Sequence, residues 1–322
     1  MRRFRLKTIL LAAAIVLAAC DPHEFPVSET GDALRDFSLK IQFEDLLPDH
    51  KVIDGSTKAG GVVVPRYTVL LFRYSGESAY GQVPDYAYSF TRKEVADMDT
   101  TIYLPIDPAK YRVAGWVDWV DDAPSYDLAD PGRILLAQSY LPGEYARDAF
   151  AVTADYDVSE FVVAGQTYHK TLTLTRPVAQ LRFVAPEALT FLSDMQMDAS
   201  GMTATLKYTA PIPDGYDLLG DITWTTRADV SLSDTPRMAT SGELVFISDF
   251  LFSTDEGTTA AVEFTLTDAE GKQLAAYAGE VPLRRAHATT VNFTSISSHQ
   301  GEKSGGIGIS PGFDDEIEVP ID

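Results

Sequence analysis

The stretch His169-Lys-Thr-Leu172-Thr-Leu174-Thr175-Arg176-Pro177-Val178-Ala-Gln180-Leu-Arg-Phe183-Val184 decides how this chain is built. Its first seven residues alternate polar and apolar side chains, the period of a β-strand with one wet face. Arg176-Pro177 separates that strand from a second alternating run. Both sides of this joint have echoes elsewhere. His287-Ala-Thr-Thr-Val291-Asn-Phe293-Thr closes the second series of strands much as His169 to Thr175 closes the first. Phe37-Ser-Leu39-Lys-Ile41-Gln-Phe43 opens the chain much as Val178 to Val184 opens the second half. Two units that begin alike and end alike predict an all-β protein of two tandem β-sandwiches, residues 37–176 and 177–300, joined near Arg176-Pro177.

Working outward, Tyr67 to Tyr74 is almost uniformly apolar and reads as a central strand. Thr100 to Leu104 and Tyr111 to Val117 flank a Pro-Ile-Asp-Pro turn, and Asp127 to Gly132 carries the Asp, Pro and Gly of another turn. In the second half, Ala204–Tyr208, Asp221–Thr225, Leu244–Ile247, Ala261–Leu266 and Leu274–Tyr277 are further strands. Short strands between regular turn signals favour a sandwich. Helical turns are expected only at Lys93–Met98 and Pro142–Phe150, and no sustained 3.6-residue stripe is predicted.

The first nineteen residues are not part of the fold. Arg2, Arg3, Arg5 and Lys7 precede an apolar run from Ile9 to Ala19 that is short for a membrane span, the pattern of a secretory signal peptide. The run ends in Leu17-Ala-Ala-Cys20, which resembles a bacterial lipobox. That resemblance implies cleavage before Cys20 and acylation of Cys20, and two or three acyl chains would hold the protein firmly to a membrane. Cys20 is the chain's one cysteine, so a disulfide has no second partner. Asp21 and Glu24 resemble the acidic surface-export signal of Bacteroidetes lipoproteins. Residues 20–36 read as a polar, lipidated tether.

The charge balance excludes one class of partner. With 26 Lys and Arg against 47 Asp and Glu, the formal charge is −21. Loss of residues 1–19 removes only positive charge. A chain this acidic has no general means of neutralising phosphates, so nucleic acid is excluded as an expected partner.

Catalytic chemistry is not visible. Gly308-Ile-Ser310-Pro-Gly312 matches the letters of a nucleophile elbow, but the residue after the serine must offer a backbone N–H to the oxyanion hole, and Pro311 has none. The five histidines are scattered, and no Cys/His metal-ligand spacing occurs. No enzyme activity, metal or cofactor is expected. Trp116, Asp118, Trp119 and Asp121 form an aromatic and acidic segment with two readings. It is either a loop that stacks on a sugar ring or binds a cation, or a core edge followed by solvated aspartates.

Residues 301–322 are first glycine-rich and then acidic. Ile317, Val319 and Ile321 alternate with polar residues, which fits either a detachable strand or a solvated tail.

Three segments together carry a family resemblance: Cys20-Asp-Pro-His-Glu-Phe25, Tyr111-Arg-Val-Ala-Gly-Trp-Val-Asp118, and Leu174-Thr-Arg176-Pro-Val-Ala179-Gln-Leu-Arg-Phe183. They resemble the fimbrial lipoproteins of Bacteroidales, which include the fimbrillin and minor (anchor or tip) subunits of type V pili and related lipoproteins of unknown function. The resemblance implies two transthyretin-like sandwiches, lipid attachment to the outer membrane through Cys20, display at the cell surface, and other fimbrial subunits as partners. It also implies assembly by strand exchange, with Ile317, Val319 and Ile321 as a candidate donor strand. In polymerising subunits an arginine-specific protease removes the N-terminal segment, and Arg35 and Arg66 are the candidate cleavage sites. Anchor-type members keep their lipid. A surface lipoprotein binding host or glycan ligands through the aromatic segment is the alternative.

Overall fold

The computed structural model describes residues 35–43, 64–76, 83–91, 99–120, 124–137, 147–159, 167–239, 241–293, 305–311 and 317–320. Nine strands precede the joint. They are β1 (Arg35–Phe43), β2 (Val64–Arg73), β3 (Tyr86–Thr91), β4 (Thr100–Ile106), β5 (Lys110–Val120), β6 (Tyr126–Asp127), β7 (Arg133–Leu136), β8 (Ala149–Asp157) and β9 (Thr167–Leu174). After the joint come β10 (Val178–Ala185), helix α1 (Ala188–Met195), β11 (Met202–Tyr208), β12 (Ile212–Asp217), β13 (Ile222–Arg227), β14 (Ser231–Asp234), β15 (Arg237–Met238) and β16 (Leu244–Phe252). The chain continues through β17 (Thr258–Asp268), β18 (Gln273–Leu283), β19 (His287–Phe293), β20 (Gly305–Pro311) and β21 (Ile317–Pro320).

Seven strands of each half share one topology. In the first half one sheet runs β4-β1-β9 and the other β3-β2-β5-β8. In the second, β16-β10-β19 and β14-β11-β17-β18 occupy the same places in the same chain order. In both halves the opening strand lies between an antiparallel neighbour and a parallel one, the parallel neighbour being the strand that ends the half. The all-β, two-sandwich expectation is met, and the echo between the halves is a repeat of architecture. β4 and β5, which flank the expected turn, are not a hairpin, because the chain crosses there from one sheet to the other.

Alternation places the cores. Phe37, Leu39 and Ile41 of β1 meet Tyr67, Val69 and Leu71 of β2 inside the first sandwich. Phe183 of β10 stacks on Phe264 of the facing sheet with ring centroids 4.5 Å apart in the second. A third apolar core lies between the halves, where Leu70, Phe72 and Trp116 meet Tyr216, Phe250 and Phe252. β2 and β5 are therefore buried on both faces, which is why Tyr67–Tyr74 shows no alternation.

Over this third core lies a four-stranded sheet, β13-β12-β7-β6, to which each half contributes two strands. β12 of the second half pairs directly with β7 of the first. Two buried ion pairs reinforce the joint. Arg147 pairs with Asp249 across the halves, both fully buried, and it donates through Nη2 to the Phe250 carbonyl at 2.8 Å. The Tyr208 hydroxyl donates to the same carboxylate at 2.7 Å. Arg176 lies 2.9 Å from Asp148 and packs over the Phe150 ring, while Arg285 donates to its carbonyl at 3.0 Å.

The two expected helical stretches lie mostly outside the described residues. Lys93–Met98 lies outside the described residues, and within Pro142–Phe150 the last two residues begin β8. Among the described residues the α-helix is α1, where the sequence reading expected none. Ala188 and Phe191 bury its inner side, with Leu192 and Met195 packed partly against the same core, a one-face spacing confined to eight residues.

Candidate assembly sites

β1 occupies a slot. Residues Arg35–Ile41 pair with β4 and Asp36–Phe43 pair with β9. Phe37, Leu39 and Ile41 are 0%, 0% and 1% exposed, and the Phe37 ring stacks on Tyr168 of β9 at 5.8 Å. Each such side chain contributes about 1.5–3 kcal/mol on burial. Removing β1 would also strip two strands of their hydrogen-bond partners, which is costly unless another strand fills the gap.

The two candidate cleavage arginines stand in different relations to this slot. Arg35 is the first residue of β1, opposite Ile106. A cut after Arg35 would remove everything before it and leave Asp36–Phe43 attached. A cut after Arg66 would separate β1 from the rest of the fold. Arg66, expected just ahead of a strand, lies inside β2 and faces Asp118 across the ladder. Its Nε and Nη2 donate to the two Asp118 oxygens at 2.9 and 2.6 Å, and Nη2 also donates to the Tyr126 carbonyl at 3.2 Å. A protease can reach this arginine only after β2 leaves its sheet.

The aromatic segment is corrected. Trp116, Asp118 and Trp119 are not in a loop but on β5, with exposures of 0%, 0% and 2%. Successive side chains point to opposite faces of a strand, so Trp119 enters the first sandwich core and Trp116 the core between the halves. Trp116 meets Tyr126 edge-on at 5.2 Å. Asp118 is held by Arg66; burial pushes its carboxyl up, and the guanidinium works against that. With the rings inside, neither tryptophan offers a face to a sugar. Asp121 lies outside the described residues, as does Cys20.

The C-terminal segment forms two strands. β20 pairs antiparallel with β19 along Gly305–Pro311, and β21 pairs with β20. Ile317 and Val319 are in β21, and Ile321 lies outside the described residues. Both strands fall outside the seven-strand repeat, on the edge of a sheet that is complete at β19. No equivalent strand lies beyond β9 among the described residues. Among those residues, no group of three His, Cys, Asp or Glu side chains is placed to hold a metal ion. No helix there is long and apolar enough to cross a membrane.

Sequence reading missed the arginines of the joint. Arg176 belongs to the Arg-Pro-Val-Ala segment that carries the resemblance, and the fold explains why an arginine stands there: its guanidinium, buried to 1% exposure, neutralises Asp148.

A repeated seven-strand sandwich, locked at its joint and extended by two C-terminal strands, defines a class of all-β double-sandwich proteins. A candidate adhesin of Bacteroides thetaiotaomicron shares this fold with a TM-score of 0.50 at 10% identity, over 90% of this chain and 99% of its own. The fimbrial anchor protein Mfa2 of Porphyromonas gingivalis aligns at 0.44 and 10% identity over 88% of this chain and 100% of its own. A fimbrial assembly protein of Parabacteroides distasonis aligns at 0.44 and 10% over 89% and 98%. The chain itself belongs to DUF6562, a family of unknown function whose model matches residues 33–322. No curated protein gives a significant match.

Proposed function

We propose that this protein is a non-enzymatic, fimbria-related lipoprotein of the cell surface, held to the outer membrane through acylated Cys20 and joined to other subunits by strand addition. The carrying observation is the position of β20 and β21. They pair at the edge of the sheet beyond β19, outside the seven-strand repeat, where the backbone ladder can be exchanged for that of another strand. β1, by contrast, completes the first core. A chain that keeps its lipid keeps β1 in its slot and presents only its C-terminal strands for exchange, which suits an anchor or terminal subunit. The candidate adhesin of like architecture fits this reading, as do the lipobox and the Arg-Pro-Val-Ala segment.

The test is an immunoblot of sheared and cell-bound fractions, run in SDS with and without boiling, for the full chain and a chain lacking residues 301–322. The proposal expects a heat-labile complex that the truncation abolishes. A monomer in both samples without boiling would contradict strand addition. Full release of a Cys20→Ser chain from the membrane fraction is expected, and its retention there would contradict lipid anchoring.

A further inference from the structure

The outer face of the first sandwich carries a groove that the assembly reading does not use. β1 forms its floor. Because β1 alternates, Ser38 and Lys40 point away from the core that Phe37, Leu39 and Ile41 enter. Register then sets the walls: Ser38 lies between Tyr103 of β4 and His169 of β9, and Lys40 between Thr101 and Thr171. Ser38 is only 4% exposed although it faces outward, whereas Tyr103 is 63% exposed. The groove encloses about 470 Å³ and is lined by these six residues and Lys170. That is room for one or two sugar rings and falls within the range of small-ligand sites.

Its chemistry departs from that of the rest of the molecule. Acidic residues outnumber basic ones by 47 to 26 along the chain, yet Lys40 and His169 line the groove and no acidic residue does; the Lys170 ammonium, opposite Leu39 on the ladder, lies instead over the Tyr156 and Tyr168 rings. Asp99 reaches Lys40 from outside at 3.6 Å, with 51% of the Lys40 side chain and 34% of the Asp99 side chain exposed. A half-exposed pair of that kind is weak, so an incoming carboxylate can compete for the ammonium. The hydroxyls of Thr101 and Thr171 suit sugar hydroxyls, and the exposed Tyr103 ring offers an apolar face to a pyranose. The net charge of the chain opposes polyanions at long range, but fields of exposed charges fade beyond about 8 Å at physiological salt.

We infer that this groove binds a pyranose bearing a single carboxylate, with Lys40 meeting the acid and Tyr103 stacking on the ring. The inference is independent of strand addition and requires only that β1 be in its slot.

Titration calorimetry on the intact chain tests it, using a trisaccharide that ends in glucuronic acid and its counterpart ending in glucose. A small ligand in an open groove should bind with a dissociation constant on the order of millimolar. The glucose form should bind about tenfold more weakly, and Lys40→Gln should erase that difference. Tyr103→Ala should weaken both sugars about fivefold or more. Both side chains are exposed, so the melting temperatures of the variants should match that of the parent chain. Equal affinity for the two sugars, absence of binding, or binding that neither substitution weakens would overturn the inference.

Discussion

The two sandwiches share seven strands and their order, but they close differently. In the second half the opening strand β10 is continuous with the joint, and its terminal neighbour β19 carries β20 and β21. In the first half the opening strand β1 has no strand before it among the described residues, and β9 carries no further strand among them. The same architecture thus has an internal opening strand in one half and an N-terminal one in the other. Among the described residues, the first half has a core strand that one cut could free, and the second has two strands beyond the seven-strand repeat at a sheet edge. Asymmetry of this kind, within a repeat, is what directional strand addition needs.

The joint makes the halves one structure, and breaking it has the largest expected effect. Asp249→Ala removes a carboxylate shared by Arg147 and Tyr208 at a fully buried site. It should cost about 3–5 kcal/mol and turn a single thermal transition into two, each half melting separately by calorimetry. A single transition with unchanged midpoint would show that the halves do not depend on this pair.

Alkaline titration sharpens the comparison. Burial raises the hydroxyls of Tyr86, Tyr88, Tyr111 and Tyr156 in the first half, with Tyr88 pushed up to about 12. In the second half Tyr277 and Tyr216 are raised as well, burial being the first cause in both. The unfolded chain ionises near the ordinary value of 10, so the folded state holds more protons above it and stability falls as pH rises. Tyr88 alone should contribute a loss of about 2–3 kcal/mol between pH 10 and 12. The single transition should therefore move down as pH rises above 10 in a denaturation series, and Tyr88→Phe should flatten the slope.

A smaller effect is expected at Gly215, where β12 has β13 on one side and β7 of the other half on the other. A Cβ there would lie 2.7 Å from Trp224 Nε1 and 3.1 Å from Leu135 Cδ2. Gly215→Ala should cost about 1–3 kcal/mol, read as a drop in the urea midpoint. At the bottom of the scale, Arg112 and Asp155 pair at 2.8 Å on the exposed side of the first sandwich. Arg112→Ala should change stability by less than about 1 kcal/mol, a shift that 1 M salt would remove.

The layers were legible in sequence wherever a strand has one wet face. Phe37–Phe43 and His169–Thr175 show their alternation because one side meets the core and the other meets water. The position of the joint was legible at Arg176-Pro177, but the sheet that covers it was not. Its strands are as short as Tyr126–Asp127 and Arg133–Leu136, and β12 is written Ile-Pro-Asp-Gly-Tyr-Asp, the letters of a turn. Trp116 and Trp119 misled for a related reason. Beside aspartates they look like a ligand loop, but Asp118 is a buried partner for Arg66, 52 positions away. The groove over β1 depends on residues about 60 and 130 positions apart, brought level by register alone.

Hydrogen exchange of the intact chain, read strand by strand, tests the central claim that the C-terminal strands are appended while β1 is integral. β20 and β21 sit at a sheet edge, and three glycines of β20 raise the entropy cost of ordering it. The account predicts rapid exchange for Gly306–Ile309 and Ile317–Val319, with Phe37–Ile41 protected as strongly as Leu181–Phe183 of β10. Fast exchange in β1 alongside protected C-terminal strands would contradict it.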